Sequence, residues 1–387
     1  MGIVREAYGF VHADNSRLKE VYGGPTGQVF VECMRVKPDT GDAGSDSGTV
    51  ILFSHPVGGG AFLPLVTALA HAGRHVIYCN PRYRGNDTAL IMEKCVLDLG
   101  ACIADLKTRF GYEKVVLGGW SGGGSLSLFY QDQAERPSIT ATPAGDPLDL
   151  VGAGLQPADG VLLLAAHISR SVTMTEWMDP SILDESRPFE RDRGLNIYDP
   201  ACPAQPPYSD DFVQTFRAAQ IARNRRITAW AKAQLAQLKA AGDPDAERCF
   251  TVQGTMCDVR WTDPAQDPSD RKPYTCYLGD PRIVNDGPVG LGRFTTLRSW
   301  LSQWSYDESR ANGEVNAGRI SCPVLVINNT ADLACTPSHA QRLFDAVASK
   351  DKSLVQIEGA DHYYVERRDL LPRASAEVGA WLDARGF

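Results

Sequence analysis

The chain has 387 residues and a formal net charge of −8, with 43% hydrophobic and 22% charged residues. That balance is ordinary for a folded globular protein and excludes a largely disordered chain. The acidic excess argues against a nucleic-acid footprint, and no apolar run reaches the roughly 18 residues of a membrane span.

The chain opens MGIVREAYGF, which lacks the basic-then-apolar pattern of a secretory signal, so a cytoplasmic location is expected. Residues 28–37 alternate as a strand, and residues 5–12 suit a hairpin partner for it. A polar turn region follows over 38–48. TVILFS, residues 49–54, is a short apolar run of the kind buried on both sheet faces, and it leads into HPVGGG. Residues 62–72 suit a helix and 74–80 another buried strand. The plainest helix places Met92, Cys95, Val96, Leu99, Cys102, Ile103, Leu106 and Phe110 at spacings of three and four. Asn86 or Asp87 can cap its start, and Gly111 can end it. Residues 114–131 read as strand, sharp turn and helix. Further buried strands are expected over 160–169, 322–332 and 353–359, with a last helix near the C-terminus.

Strands alternating with amphipathic helices predict an α/β fold, a mostly parallel sheet with helices on both faces. The rhythm fails between 170 and 318. The expected organisation is therefore a catalytic core from 1–169 and 319–387, interrupted by an inserted cap over 170–318. The ten cysteines match no zinc or CxxC spacing. Cys33, Cys79, Cys95 and Cys102 lie in apolar periodic segments and read as buried reduced thiols. Cys202, Cys249, Cys257 and Cys276 are the only disulfide candidates.

Gly119-Trp120-Ser121-Gly122-Gly123 matches G-x-S-x-G between a strand and a helix. Such a turn thrusts its serine out at the sheet's C-terminal edge, and its crowding demands small neighbours. The Lys of a phosphate-binding Walker loop is absent, and no G-x-G-x-x-G can be laid over either glycine cluster. A serine hydroxyl needs a base, and the base needs an orienting carboxylate. His362 follows the last strand and lies at the same edge. Of the other histidines, His55 suits a loop-shaping role, His167 a pocket wall and His339 the surface. Asp332 ends a strand 30 residues before His362, one helix and one strand away. Asp361 is too close to His362 in sequence to meet its ring easily. Helix capping is the competing role for Asp332. The HPVGGG loop faces the turn. Pro56 lacks an N–H, so the amides of Val57 or Gly58, with that of Gly122, are the candidate oxyanion donors.

On these residues, 49–131 and 320–387 resemble the α/β-hydrolase superfamily, in its cap-bearing, serine esterase-like branch. The resemblance rests on HPVGGG, the Gly119 to Gly123 turn, Asp332 and His362, in that chain order. It implies a Ser121–Asp332–His362 triad and no metal or organic cofactor, and it specifies a mechanism without a substrate; hydrolysis of a small-molecule carboxylic ester is the first expectation. HPVGGG departs from the commoner His-Gly opening of that loop. C–C bond, lactone or amide hydrolysis, and a receptor that binds without turnover, are the alternatives.

For the substrate pocket the candidates are Trp120, His167, Trp177, Trp300 and Trp304, with Tyr306 beside them; the cap's own small core competes for Trp177, Trp300, Trp304 and Tyr306 taken singly, with one or two expected to face the site, and a structural role competes for His167. The helix over 212–241 carries Arg217, Arg223, Arg225, Arg226, Lys232 and Lys239, as a solvated face would. Arg82 and Arg84 fall on the catalytic side and suit either a substrate carboxylate or loop anchoring. Nothing in the sequence sets an oligomeric state.

Overall fold

A computed structural model describes residues 2–14, 27–40 and 47–387. The centre of the turn expected over 38–48, residues 41–46, lies outside the described residues. Strands β1 (Ile3–Ala13) and β2 (Gln28–Pro38) pair antiparallel with Tyr8 opposite Cys33. Next come β3 (Thr49–Ser54), β4 (Val76–Asn80), β5 (Lys114–Ser121) and β6 (Gly160–Ala166). A separate two-stranded ribbon joins β7 (Cys249–Thr251) and β8 (Phe294–Thr296), before β9 (Val324–Asn329) and β10 (Lys352–Ile357) complete the main sheet. Its order is β1-β2-β4-β3-β5-β6-β9-β10, parallel from β4 onward.

The central strands are apolar on both faces because helices cover both. Period-2 alternation sorts them. Val50 and Leu52 face Leu99, Cys102 and Leu106 of the helix Met92–Phe110, while Ile51 and Phe53 face Val66, Leu69, Val378 and Trp381 on the other side. Helices α1 (Pro64–His71), α2 (Met92–Phe110) and α3 (Gly123–Glu135) follow the expected pattern. Gly111 ends α2 at φ +70°, a left-handed cap that suits glycine. The start of α2 differs from expectation. Ile91 is its cap, and neither Asn86 nor Asp87 serves. The Met92 amide instead donates to the Ser302 hydroxyl at 2.8 Å, and that hydroxyl donates to Glu93 at 2.7 Å. A partner some 200 residues away does the work of a local cap.

Residues 170–318 contribute no strand to the main sheet. They hold α4 (Arg170–Trp177), α5 (Asp210–Ala240) and the β7–β8 ribbon, around a core of Met174, Met178, Ile227, Leu235, Leu297 and Leu301. The final turn of this span, Gly313–Ala317, lies against α3, where Asn316 donates to Asp132 at 2.9 Å. The basic face of α5 is not simply solvated. Arg217 pairs with Asp258, Arg223 with Glu185, Arg225 with Asp307, Lys232 with Glu308 and Lys239 with Asp146. Arg82 is buried against Asp98 and Asp14, and Arg84 pairs with Glu32, so both anchor structure. All ten cysteines are free thiols, and only Cys249 is exposed. No helix among the described residues is long and apolar enough to cross a membrane.

Candidate active site

Strand β5 ends on Ser121, whose φ is +53°. A side chain bearing a Cβ rarely adopts that conformation, and it persists only where the surroundings enforce it. The neighbours enforce it here. A Cβ on Gly119 would sit 2.7 Å from the Gly124 Cα, and one on Gly123 would sit 2.1 Å from the Ser54 carbonyl oxygen. Strand β5, the turn and α3 can pack this closely only with glycine at those positions. The β5–β6 register shifts between Trp120 and Ser121, which turns the serine out of the sheet.

Parallel β9 and β10 end at the same edge and deliver the other two groups. The His362 Nδ1 lies 2.6 Å from one carboxylate oxygen of Asp332. The other oxygen of Asp332 accepts the amides of Ala334 and Cys335 at 2.7 and 2.8 Å. Asp332 therefore caps its own turn and orients the histidine at once. Asp361 accepts the amides of Tyr363, Val365, Glu366 and Arg367, so it shapes the loop that carries His362. Trp120 buttresses the His362 ring, with centroids 4.5 Å apart, and Tyr363 lies 4.8 Å from Trp120.

Ser121 and His362 open into one cavity of about 320 Å³. Val57 and Gly58 line it from the HPVGGG loop, and Trp120 and His167 from the sheet edge. The insertion adds Arg170, Thr173, Tyr277 and Leu291. A larger groove, about 890 Å³, lies along α5 and β7 and holds none of Ser121, Asp332 or His362. The loop amides are unevenly placed. Gly58 donates to the His55 carbonyl at 2.8 Å and Gly59 to the Asn80 side chain, at the end of β4, at 2.8 Å, so both amides already have acceptors. The Val57 amide makes only a 3.3 Å contact with the His55 ring nitrogen. Both expected loop donors line the cavity, but only the Val57 amide lacks a backbone acceptor.

Burial, with the Arg170 and His362 charges nearby, pushes His55 down to about 3. Burial also holds His167 well below its usual value. Neither takes a proton at neutral pH. Burial and the Asp332 charge push the Cys335 thiol, beside Ser121, well above its usual value, so it stays protonated. Asp332, Cys335 and His362 present ligand-type atoms within 4.8 Å of one another. The 2.6 Å contact between Asp332 and His362 leaves no room for an ion between them, because ligands around zinc stand more than about 3 Å apart.

Three pocket expectations do not hold. Trp177, Trp300 and Trp304 are buried within the insertion and do not line the cavity. Trp177 packs edge-on against His167, Trp300 donates to Thr228, and Trp304 carries the Arg170 guanidinium 4.4 Å over its ring. Tyr306 is also remote from the cavity. Their size drew them into the insertion's own core, where large aromatics bury the most surface. His339 is not a surface residue. It is buried, 2.7 Å from Glu176 of α4 and 3.3 Å from Arg260. Arg170, Asp87, Tyr277 and Tyr363 line the cavity and were not singled out for it. Arg170 pairs with Asp87 at 2.6 Å. Tyr363 could have been found from its place beside His362, but Arg170 and Tyr277 carry no local signal.

No protein-family model matches the sequence, and no curated protein sequence matches it. Solved structures do. A hypothetical protein from Pseudomonas aeruginosa superposes with a TM-score of 0.50 at 13% identity, covering 98% of this chain and 94% of that one. An esterase domain from a Rhodothermus marinus protein gives 0.45 at 14% identity, with 97% and 98% covered. A monoacylglycerol lipase from Paleococcus ferrophilus gives 0.42 at 15% identity, with 99% and 98% covered. Only the first reaches the level at which an overall fold is shared, and identities this low speak to fold and not to reaction. That first superposition, with the strand order and the serine turn after β5, identifies the architecture alone: a mostly parallel sheet with helices on both faces, in the arrangement of the α/β-hydrolase fold.

Proposed function

We propose that this protein is a serine hydrolase of small carboxylic esters. The observation that carries the reading is the strained Ser121, held at φ +53° on the same cavity as a His362 already bound to Asp332 at 2.6 Å. Strain of that kind is retained where it has a use. Ser121 Oγ attacks the ester carbonyl carbon, and His362 takes the serine proton through Nε2. Asp332 holds the ring in that tautomer and stabilises its cationic form. The Gly122 amide, at the start of α3, and the Val57 amide receive the oxyanion. The tetrahedral intermediate expels the alcohol, which leaves with the proton from His362. Water, deprotonated by His362, then releases the acid from the acyl-enzyme and regenerates Ser121.

The cavity volume falls at the lower end of small-molecule sites. Residues 170–318 supply Arg170, Thr173, Tyr277 and Leu291 to it, which supports a cap role for the insertion with a part in choosing the substrate. A panel of p-nitrophenyl esters with acyl chains of increasing length tests the reading. Ser121→Ala is expected to lower turnover by at least about 10⁴-fold with an unchanged circular-dichroism spectrum. Equal turnover in wild type and variant would overturn the assignment.

A further inference from the structure

Tyr8, Cys33, Cys79 and Ser54 stand opposite one another in a single row across β1, β2, β4 and β3. Residues paired in this way share a sheet face, and here it is the face covered by α2. Cys102 of α2 comes down onto the row, with its sulfur 3.9 Å from that of Cys33. The sulfurs of Cys33, Cys79 and Cys102 all lie within 4.8 Å of one another, and all three residues are buried. An apolar core needs no such grouping, since valine or alanine would fill the space without polar atoms.

The surroundings are polar in the same sense. The Tyr8 hydroxyl, in the same row, is buried and has no hydrogen-bond partner among the described residues. Asp105, one turn beyond Cys102, has a buried oxygen with no hydrogen-bond partner, and its charge is felt at Cys33 and Cys102. Arg109 reaches back over the Tyr8 ring at 5.4 Å and bonds Asp105 at 2.9 Å. Orphaned polar atoms beside clustered thiols, inside a dry core, call for a partner.

We infer that Cys33, Cys79 and Cys102 form a binding site for one copper(I) ion, held by three sulfurs. An ion about 2.3 Å from three coplanar sulfurs spaces them about 4 Å apart. The Cys33–Cys102 separation already meets that spacing. Soft thiolates select copper(I), which accepts three ligands. Zinc in a structural site takes four, and no His, Asp or Glu ligand atom joins the three sulfurs among the described residues. On binding, three Cu–S bonds form, and each protonated thiol that becomes a ligand releases its proton to solvent. No electron is transferred. The Arg109 guanidinium offsets the negative charge of the complex.

The site lies directly behind the catalytic loop. Ser54, beside Cys79, bonds the Cys79 carbonyl and immediately precedes His55, and Asn80 holds the Gly59 amide. The test uses the full chain, reduced and free of oxygen, titrated with copper(I) against a chromophoric copper(I) chelator. The expected result is one equivalent withheld from the chelator, with X-ray absorption showing three sulfurs about 2.3 Å from copper. Cys102→Ala should weaken retention by more than about 100-fold, while Cys249→Ser and Cys335→Ser retain wild-type affinity. No equivalent withheld by the wild type, fewer than three sulfur neighbours, or equal retention by Cys102→Ala would each overturn the proposal. The wild-type titration and spectrum decide the matter even if Cys102→Ala does not fold.

Discussion

The sheet and the insertion are held together by different forces. Val116, Leu117, Leu162 and Leu163 in β5 and β6 are fully buried among other apolar side chains. In the insertion, the side chains fully buried near the centre of α5 include Arg223 and Asn224. The Arg223 guanidinium bonds both oxygens of Glu185 and the carbonyls of Asp179, Gln253 and Gly254. Gln220 bonds the carbonyls of Glu176, Met178 and Cys257, and Asn224 bonds Thr175 and the Trp304 carbonyl. Arg293 and Arg298 tie further loops in the same way. Apolar burial tolerates exchange among similar shapes, whereas a buried guanidinium works only if each of its donors finds its acceptor.

The sharpest way to break this contrast is Arg223→Leu. Removing a buried charge from its partners costs about 3–5 kcal/mol, and denaturant unfolding should show that loss. A loss below about 1 kcal/mol would place Arg223 with the replaceable residues. Leu117→Ala in the sheet should cost about 2–5 kcal/mol, from lost apolar burial and the cavity left behind. Leu117→Met should recover most of that stability, and no comparable conservative exchange should rescue Arg223.

Acid separates the regions by pH. The folded chain holds His55 down to about 3, so between about 6.5 and 3 the unfolded chain binds a proton that the folded one does not. Stability from this group is complete above about pH 6.5 and falls with pH through that window, by up to about 1.4 kcal/mol per unit. His55→Gln should flatten the slope. In the insertion, burial opposes ionisation of Asp258, yet Arg217 and Arg260 outweigh it and hold the carboxyl at about 2. Its contribution is present above its unfolded value and is lost only as pH falls toward 2. Unfolding measured from pH 7 to 4.5 should therefore report His55 together with His167, which burial shifts in the same direction, and leave the Asp258 pairs intact. The smallest effect is expected at Arg225, whose pair with Asp307 is exposed. Arg225→Ala should move the melting temperature by less than about 2 °C, since screened surface pairs contribute little.

Legibility from sequence follows the same division. The strands of the sheet announce themselves because both faces are apolar, and α2 because one face is. A polar network has no period, so α5 shows basic residues without showing that each one is paired. Large aromatics mislead for a related reason. Trp177, Trp300 and Trp304 have the size of a pocket wall, but a core and a pocket ask for the same property. His339 looked external because its carboxylate partner, Glu176, comes from another region of the chain.

At the candidate site, Ser121 was set by its immediate neighbours, since steric crowding around Gly119 and Gly123 acts over a few residues and is written in a motif. Parallel topology then obliged the ends of β9 and β10 to present Asp332 and His362 at the edge where Ser121 emerges. Tertiary structure alone decided the rest. It bonded the Gly58 amide to the His55 carbonyl, brought Arg170 and Tyr277 into the cavity, replaced a local cap of α2 with Ser302, and set Cys102 over Cys33 and Cys79. Backbone strain and hydrophobic period are short-range properties that a sequence carries openly. The meeting of side chains distant along the chain depends on how finished elements dock.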